Sequence, residues 1–130
     1  MSGFTFTADE GRERLAALLN GDELSAARAT GDAAGLAALT AELRAAAAAG
    51  VVNPRAIGGM HSQTASQIVG YAKTRFAQIT REGELAAARA NGADARIVAL
   101  EEERRWCCEV IAAPATDVTA LRAAIMGGAS

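Results

Sequence analysis

The chain has a single histidine. His61 stands in Gly58-Gly59-Met60-His61-Ser62, where an imidazole beside two glycines can act as a base or a metal ligand. Neither role has its usual company. There is no second histidine, no Glu-x-x-His pair and no Cys/His cluster, so His61 reads as a loop or helix-start residue and a candidate contact. The two cysteines, Cys107 and Cys108, are adjacent. Helical neighbours point about 100° apart, so a bond between them would distort the backbone. They read as two free thiols, at least one of them buried, with an intersubunit disulfide as the sharper alternative. The run Glu101-Glu102-Glu103 reads as a solvated helix face. No nucleophile elbow is present, and no glycine stretch follows a strand as a phosphate cradle requires. The residues therefore imply no cofactor and no metal, and an enzyme is the least supported class.

Two stretches suit binding better than catalysis. In residues 64–80, Ser66, Gly70, Phe76 and Ile79 fall near the small, turn-forming and core positions of a DNA-binding helix-turn-helix. Lys73, Arg75 and Arg81 would then face phosphates. The turn would have to form at Gly70-Tyr71-Ala72, which reads equally well as uninterrupted helix. Trp106 follows Arg104 and Arg105. Trp and Arg are common anchors of protein interfaces, although a Trp lying across its own core fits the same pattern. Phe4 and Phe6 precede the first helix start and complete the interface candidates, with His61.

The elements that must position these residues are helices. Of the 130 residues, 34 are alanine, and the hydrophobic share of 51% is mostly methyl groups. The formal net charge is −2, so no broad basic field for nucleic acid is expected. Twelve arginines accompany one lysine, Lys73, and Arg favours bidentate contacts and so interfaces. No apolar run approaches the ~20 residues of a membrane span, and no signal peptide is visible. The expectation is a protein of the cytoplasm, or of a particle assembled there.

Thr7-Ala8-Asp9-Glu10 reads as a capping box opening a helix that carries Leu15, Leu18 and Leu19 and closes at Asn20-Gly21. Asp22 and Asp32 are candidate caps of the next two helices, and Gly31 and Gly50 candidate stops. The stretch 50–62, with Asn53-Pro54 and Gly58-Gly59, reads as a loop. A helix from Ser62 or Thr64 buries Ala65, Ile68, Val69, Ala72, Phe76 and Ile79 and runs on through Glu84 towards Ala90. The next, capped by Asp94, turns Ile97, Leu100, Cys107 and Ile111 inward until Pro114 ends it. A short helix over 116–126 buries Val118, Leu121 and Ile125. The expected fold is an all-α, Ala-rich bundle of five to seven helices in a single domain, 1–130.

An internal repeat organises this pattern. Glu23-Leu24-Ser25-Ala26-Ala27-Arg28-Ala29-Thr30-Gly31 lies over Glu84-Leu85-Ala86-Ala87-Ala88-Arg89-Ala90-Asn91-Gly92 at an offset of 61, with seven of nine positions identical. The register continues in Leu36/Ile97, Leu39/Leu100, Glu42/Glu103 and Arg44/Arg105, and upstream in Arg14/Arg75, Leu15/Phe76 and Leu18/Ile79. Shared alanine bias produces such likeness by itself. A genuine duplication would make 7–50 and 64–112 pseudo-equivalent halves joined by loop 50–62.

The segment Ala112-Ala113-Pro114-Ala115-Thr116-Asp117-Val118-Thr119-Ala120-Leu121 resembles the closing "Pro-Ala-Thr, then short helix" segment of small helical proteins of bacteria and their prophages. The likeness covers under a fifth of the chain and implies no catalytic residue. Members of that group end in a basic-aliphatic helix, where here only Arg122 supplies charge. A core of methyl groups buries modest apolar area, which points to completion by neighbouring subunits. The expectation is a non-enzymatic helical protein working through protein contacts, as a homo-oligomer or within a larger assembly. Its most concrete form is a structural or connector subunit of a phage-like particle. A helix-turn-helix regulator and a small helical inhibitor or adaptor of a host protein are the alternatives.

Overall fold

A computed structural model describes residues 5–51, 61–114 and 117–127. The described residues form seven helices and no strand, an all-α fold: α1 Ala8–Asn20, α2 Glu23–Thr30, α3 Ala33–Val51, α4 Ser62–Thr80, α5 Glu84–Ala90, α6 Asp94–Ala112 and α7 Val118–Ile125. Phe4, Thr116 and most of the expected loop 50–62 lie outside the described residues. Contacts divide the chain into two compact units, Met1–Ala65 and Ser66–Ser130. The boundaries α3 and α6 share are 61 residues apart at both ends, as are the starts of α2 and α5.

In the first unit, α1 opens on the capping box its sequence encodes. The Glu10 N–H donates to Thr7 Oγ1 at 3.1 Å, and the Thr7 N–H donates to Glu10 Oε1 at 2.9 Å. Asp32 accepts the Gly35 N–H at 2.9 Å, ahead of α3. Asp22 precedes α2 without a side-chain cap bond. Gly31 and Gly92 close α2 and α5 with φ of 71° and 63°, the left-handed region that glycine enters without penalty.

Gly50 departs from its expected role as a helix stop. It lies buried within α3, which runs on to Val51. A methyl group there would come within 3.0 Å of the Arg12 side chain and 3.1 Å of Thr64. Gly11 makes the same kind of contact from α1: a Cβ on it would lie 2.5 Å from the Ala46 carbonyl oxygen. Glycine here lets the backbones of α1 and α3 approach closely around Leu15, Leu18, Leu43 and Ala46, all buried. Gly11→Ala should therefore destabilise. Helix propensity favours Ala by about 1 kcal/mol, but overpacking costs about 1–3 kcal/mol and prevails. Urea denaturation should show a lower midpoint with an unchanged slope.

The second unit breaks its first two helices where the sequence pattern expects one. α4 stops at Thr80, and α5 starts after Gly83, whose φ is 91°. This is the counterpart of the Gly21–Asp22 break, so the repeat prevails over the apolar periodicity. Ile79, Leu85, Ala88 and Leu100 form a buried cluster with Ile97 against it. Asp94 is the first residue of α6 and gives no cap bond from the preceding position. Val110, not Ile111, faces inward on α6. Asp117 caps α7 through the Ala120 N–H at 3.0 Å, and Leu121 and Ile125 are buried while Val118 is half-buried.

α3 also departs from the expectation of no membrane-length run. Among the described helices it alone is long and apolar enough to cross a bilayer, with a mean hydropathy of 1.2 over 18 residues. Alanine supplies that value, and the helix carries Glu42 and Arg44 within it.

Candidate functional site

Among the described residues, the best-organised polar groups occur twice. In the first unit α1 supplies Arg14, α2 supplies Glu23 and α3 supplies Glu42. Arg14 Nε and Nη2 donate to the two oxygens of Glu42 at 2.8 and 2.9 Å, and Nη1 donates to Glu23 Oε1 at 3.1 Å. In the second unit α4, α5 and α6 supply Arg75, Glu84 and Glu103. Arg75 Nε and Nη2 donate to Glu103 at 2.8 Å each, and Nη1 donates to Glu84 Oε1 at 2.9 Å. Each residue of one cluster lies 61 positions from its counterpart, and the same atoms pair. Chance likeness of alanine-rich helices does not reproduce a three-residue, atom-matched clasp, so the repeat is structural. A planar guanidinium suits the task because its fork meets one carboxylate bidentately and leaves Nη1 for a second.

The clusters differ in burial. The Arg14 side chain is 28% exposed and that of Arg75 only 3%. The second cluster is also fuller. Gln78 Oε1 accepts from Arg75 Nη1 at 2.6 Å, and Arg96 Nη2 donates to Glu84 Oε2 at 2.5 Å. At the matching places the first unit has Ala17 and Gly35. Burial disfavours the Arg75 charge, but hydrogen bonds to Glu103 and Glu84 outweigh it and hold its pKa above the ordinary arginine value. Bonds to Glu42 and then Glu23 raise that of Arg14 in the same direction. A raised folded-state pKa gives stability that is complete below the unfolded value and fades only above it. Neither arginine therefore makes folding pH-dependent near neutrality. Chemically, these clusters hold three helices together; each carboxylate already faces a fixed cation.

The residues singled out from sequence scatter. Arg75 is buried among carboxylates and cannot face a phosphate, which corrects its place among the nucleic-acid candidates. Lys73 and Arg81 are exposed, but Gly70-Tyr71-Ala72 is continuous helix within α4 rather than a turn. Trp106 is buried, not a surface anchor. Its indole N–H donates to the Ile125 carbonyl at 2.7 Å, and its ring meets Tyr71 edge-on at 6.3 Å. Arg104 is half-buried and Arg105 exposed, and Phe6 is half-buried.

His61 stands just before α4 and caps it. Its Nδ1 accepts the Thr64 N–H at 3.3 Å, with the buried Thr64 hydroxyl 3.2 Å from the same nitrogen. That cap replaces the Ser62 or Thr64 expected there. Cys107 is buried and Cys108 exposed, and neither is in a disulfide. Among the described residues no three His, Cys, Asp or Glu side chains gather as a metal site. Sequence reasoning aligned Arg14 with Arg75, Glu23 with Glu84 and Glu42 with Glu103 but did not see them as one cluster; Gln78 and Arg96 gave no signal.

No family model, curated protein or solved structure matches this chain.

Proposed function

We propose that this chain is a non-enzymatic structural protein acting through protein–protein contacts, as a connector subunit of a phage-like particle. The twinned arginine clasp is the observation that carries this reading. The polar groups with the most defined geometry lock three helices together in each unit, which is the economy of a scaffold. The composition of the core supports the same role. Ala46, Ala47, Ala48, Ala65, Ala72, Ala88 and Ala124 make up much of what is buried. Such small side chains contribute little area each, at about 25 cal/mol per Å², and leave stability to be completed by neighbours. The likeness of residues 112–121 to a segment of prophage-associated helical proteins agrees with a particle setting.

The test is quantitative mass spectrometry of gradient-purified particles from cells that carry the gene. The chain should co-sediment in a fixed ratio to the shell protein, at several copies per particle. Recovery only in the soluble fraction, with particles complete without it, would overturn the reading.

A further inference from the structure

The first turn of α4 is held by a cap that can be protonated. A helix start usually takes its cap from Ser, Thr, Asp or Asn, whose oxygens accept throughout the neutral range. α4 takes its cap from an imidazole. His61 Nδ1 accepts the Thr64 N–H at 3.3 Å, and a nitrogen that accepts from an N–H carries no proton of its own. The neutral ring therefore holds its proton on Nε2. Its backbone is pinned on both sides: the His61 N–H donates to the Val51 carbonyl at 2.8 Å, and the His61 carbonyl accepts the Ala65 N–H at 3.0 Å. Thr64 is buried. Its methyl group lies 3.1 Å from the place a Cβ on Gly50 would take, and its hydroxyl lies 3.2 Å from Nδ1. His61 itself is half-buried, so protons reach the ring. These residues all belong to the first unit.

We propose that His61 is an acid-released latch, whose protonation uncaps α4 and loosens its first turn. Three effects act together. In imidazolium Nδ1 becomes a donor, so the N–H of buried Thr64 loses its acceptor. The Thr64 hydroxyl can accept from the imidazolium, but that leaves the backbone N–H bare. Positive charge also arrives at the helix end where free N–H groups already point, and the macrodipole disfavours it there. Finally, no nearby charge offsets it. The first turn of α4 has no acidic residue, and residues 48–51 of α3 carry no charge. From α1 comes Arg12, whose side chain reaches Gly50 as Thr64 does and pairs with Asp9. Arg55 lies outside the described residues. Among the described residues no carboxylate pairs with the ring. The cap is thus complete while the ring is neutral, and is lost as pH falls through the ordinary histidine value of about 6.5. His61 is the only histidine, and no other side chain ordinarily changes charge in that range.

The test compares the full chain with two variants by urea denaturation above and below the histidine range, at about pH 7.5 and about pH 5. His61→Asn keeps an acceptor at both values and His61→Ala has none at either. The parent should behave as the capped variant at the higher pH and as the uncapped one at the lower. Relative to His61→Asn, its unfolding equilibrium constant should rise about fivefold across the step, the worth of one helix cap, while the ratio between the two variants stays fixed. Thr64 gives a local readout. Its amide, followed by NMR, should exchange about fivefold faster relative to His61→Asn at the lower pH than at the higher. A gap between the parent and His61→Asn that is the same at both values would overturn the proposal. So would His61→Ala as stable as His61→Asn at the higher pH, or ring nitrogen shifts that place the neutral proton on Nδ1. Every readout is of the isolated chain, so the outcome is independent of the particle assay.

Discussion

Replacing Arg75 with alanine should destabilise the second unit by about 3–5 kcal/mol, the cost of breaking a buried ion pair by removing one partner. The guanidinium is 3% exposed and holds Glu84 and Glu103, with Gln78 beside them. Without it, two carboxylates stay in a site shaped for a cation, with Arg96 left to face Glu84 alone. Thermal unfolding followed by circular dichroism should show a midpoint lower by roughly 10–20 °C, given several degrees per kcal/mol for domains of this size. Arg14→Ala is the internal comparison. The same atoms pair there, but the side chain is 28% exposed, and water re-solvates the freed Glu23 and Glu42. Its cost should be about 1 kcal/mol or less, as for surface pairs. A third variant separates pairing from packing. Arg75→Met with Glu84→Gln and Glu103→Leu removes the three charges of the triad, leaves Arg96, 37% exposed, to water, and should recover much of the loss, because a buried ion triad replaced by apolar groups is often neutral or stabilising. Equal effects at Arg14 and Arg75 would contradict the burial argument.

What could be read from the sequence follows from how local each signal is. The capping box of Thr7 and Glu10 was legible because both partners lie within one turn and bond through the backbone. Gly31 was legible as a stop because the left-handed conformation is a property of the residue. The repeat was legible as a register, and the register aligned the three charged residues of each clasp. The clasp itself was not, because nothing in a linear alignment says that Arg14, Glu23 and Glu42 converge from three helices.

Gly50 misleads for the opposite reason. Its low helix propensity suggests a stop, and only the approach of Arg12 and Thr64 explains why a residue without a side chain sits inside α3. On α6 the stripe Ile97, Leu100, Cys107 and Ile111 fits helical spacing as well as Leu100, Trp106, Cys107 and Val110. Both sets contain Leu100 and Cys107, and an apolar stripe is about 100° wide or more, so periodicity alone does not choose between Val110 and Ile111. Arg75 looked like a surface residue because its chemistry suits phosphate contacts, and Trp106 fitted both an interface and its own core. Their helix faces, which decide the matter, were set by partners far along the chain.

The units also differ in how their helices are held apart, and Trp106 is where that difference is largest. In the first unit Gly11 meets Ala46 at backbone distance. In the second, the same two places hold Ala72 and Cys107. A Cβ at Gly11 would lie 2.5 Å from the opposing carbonyl oxygen, so the approach of α1 to α3 cannot be repeated with Ala72 in its place. The wider spacing needs bulk to fill it, and Trp106 supplies that bulk where the first unit has Ala45. Its ring meets Tyr71 of α4, and its N–H satisfies a carbonyl at the end of α7. One side chain thus joins three helices.

Trp106→Ala should cost about 3–5 kcal/mol, the usual range for a buried Trp or Phe cut to alanine, and the loss should concentrate in α7. An eight-residue helix does not persist in water without packing, so amides of residues 121–126 should exchange close to the unprotected rate. Trp106→Phe keeps the ring and removes the donor, leaving the Ile125 carbonyl without its partner at a cost of about 1–3 kcal/mol. In that variant protection should fall in α7 while α6 is little changed. Hydrogen exchange read by mass spectrometry distinguishes the two variants. Protection of α7 that survives Trp106→Ala would mean that Leu121, Ala124 and Ile125 hold the helix by themselves, and that the tryptophan merely fills space.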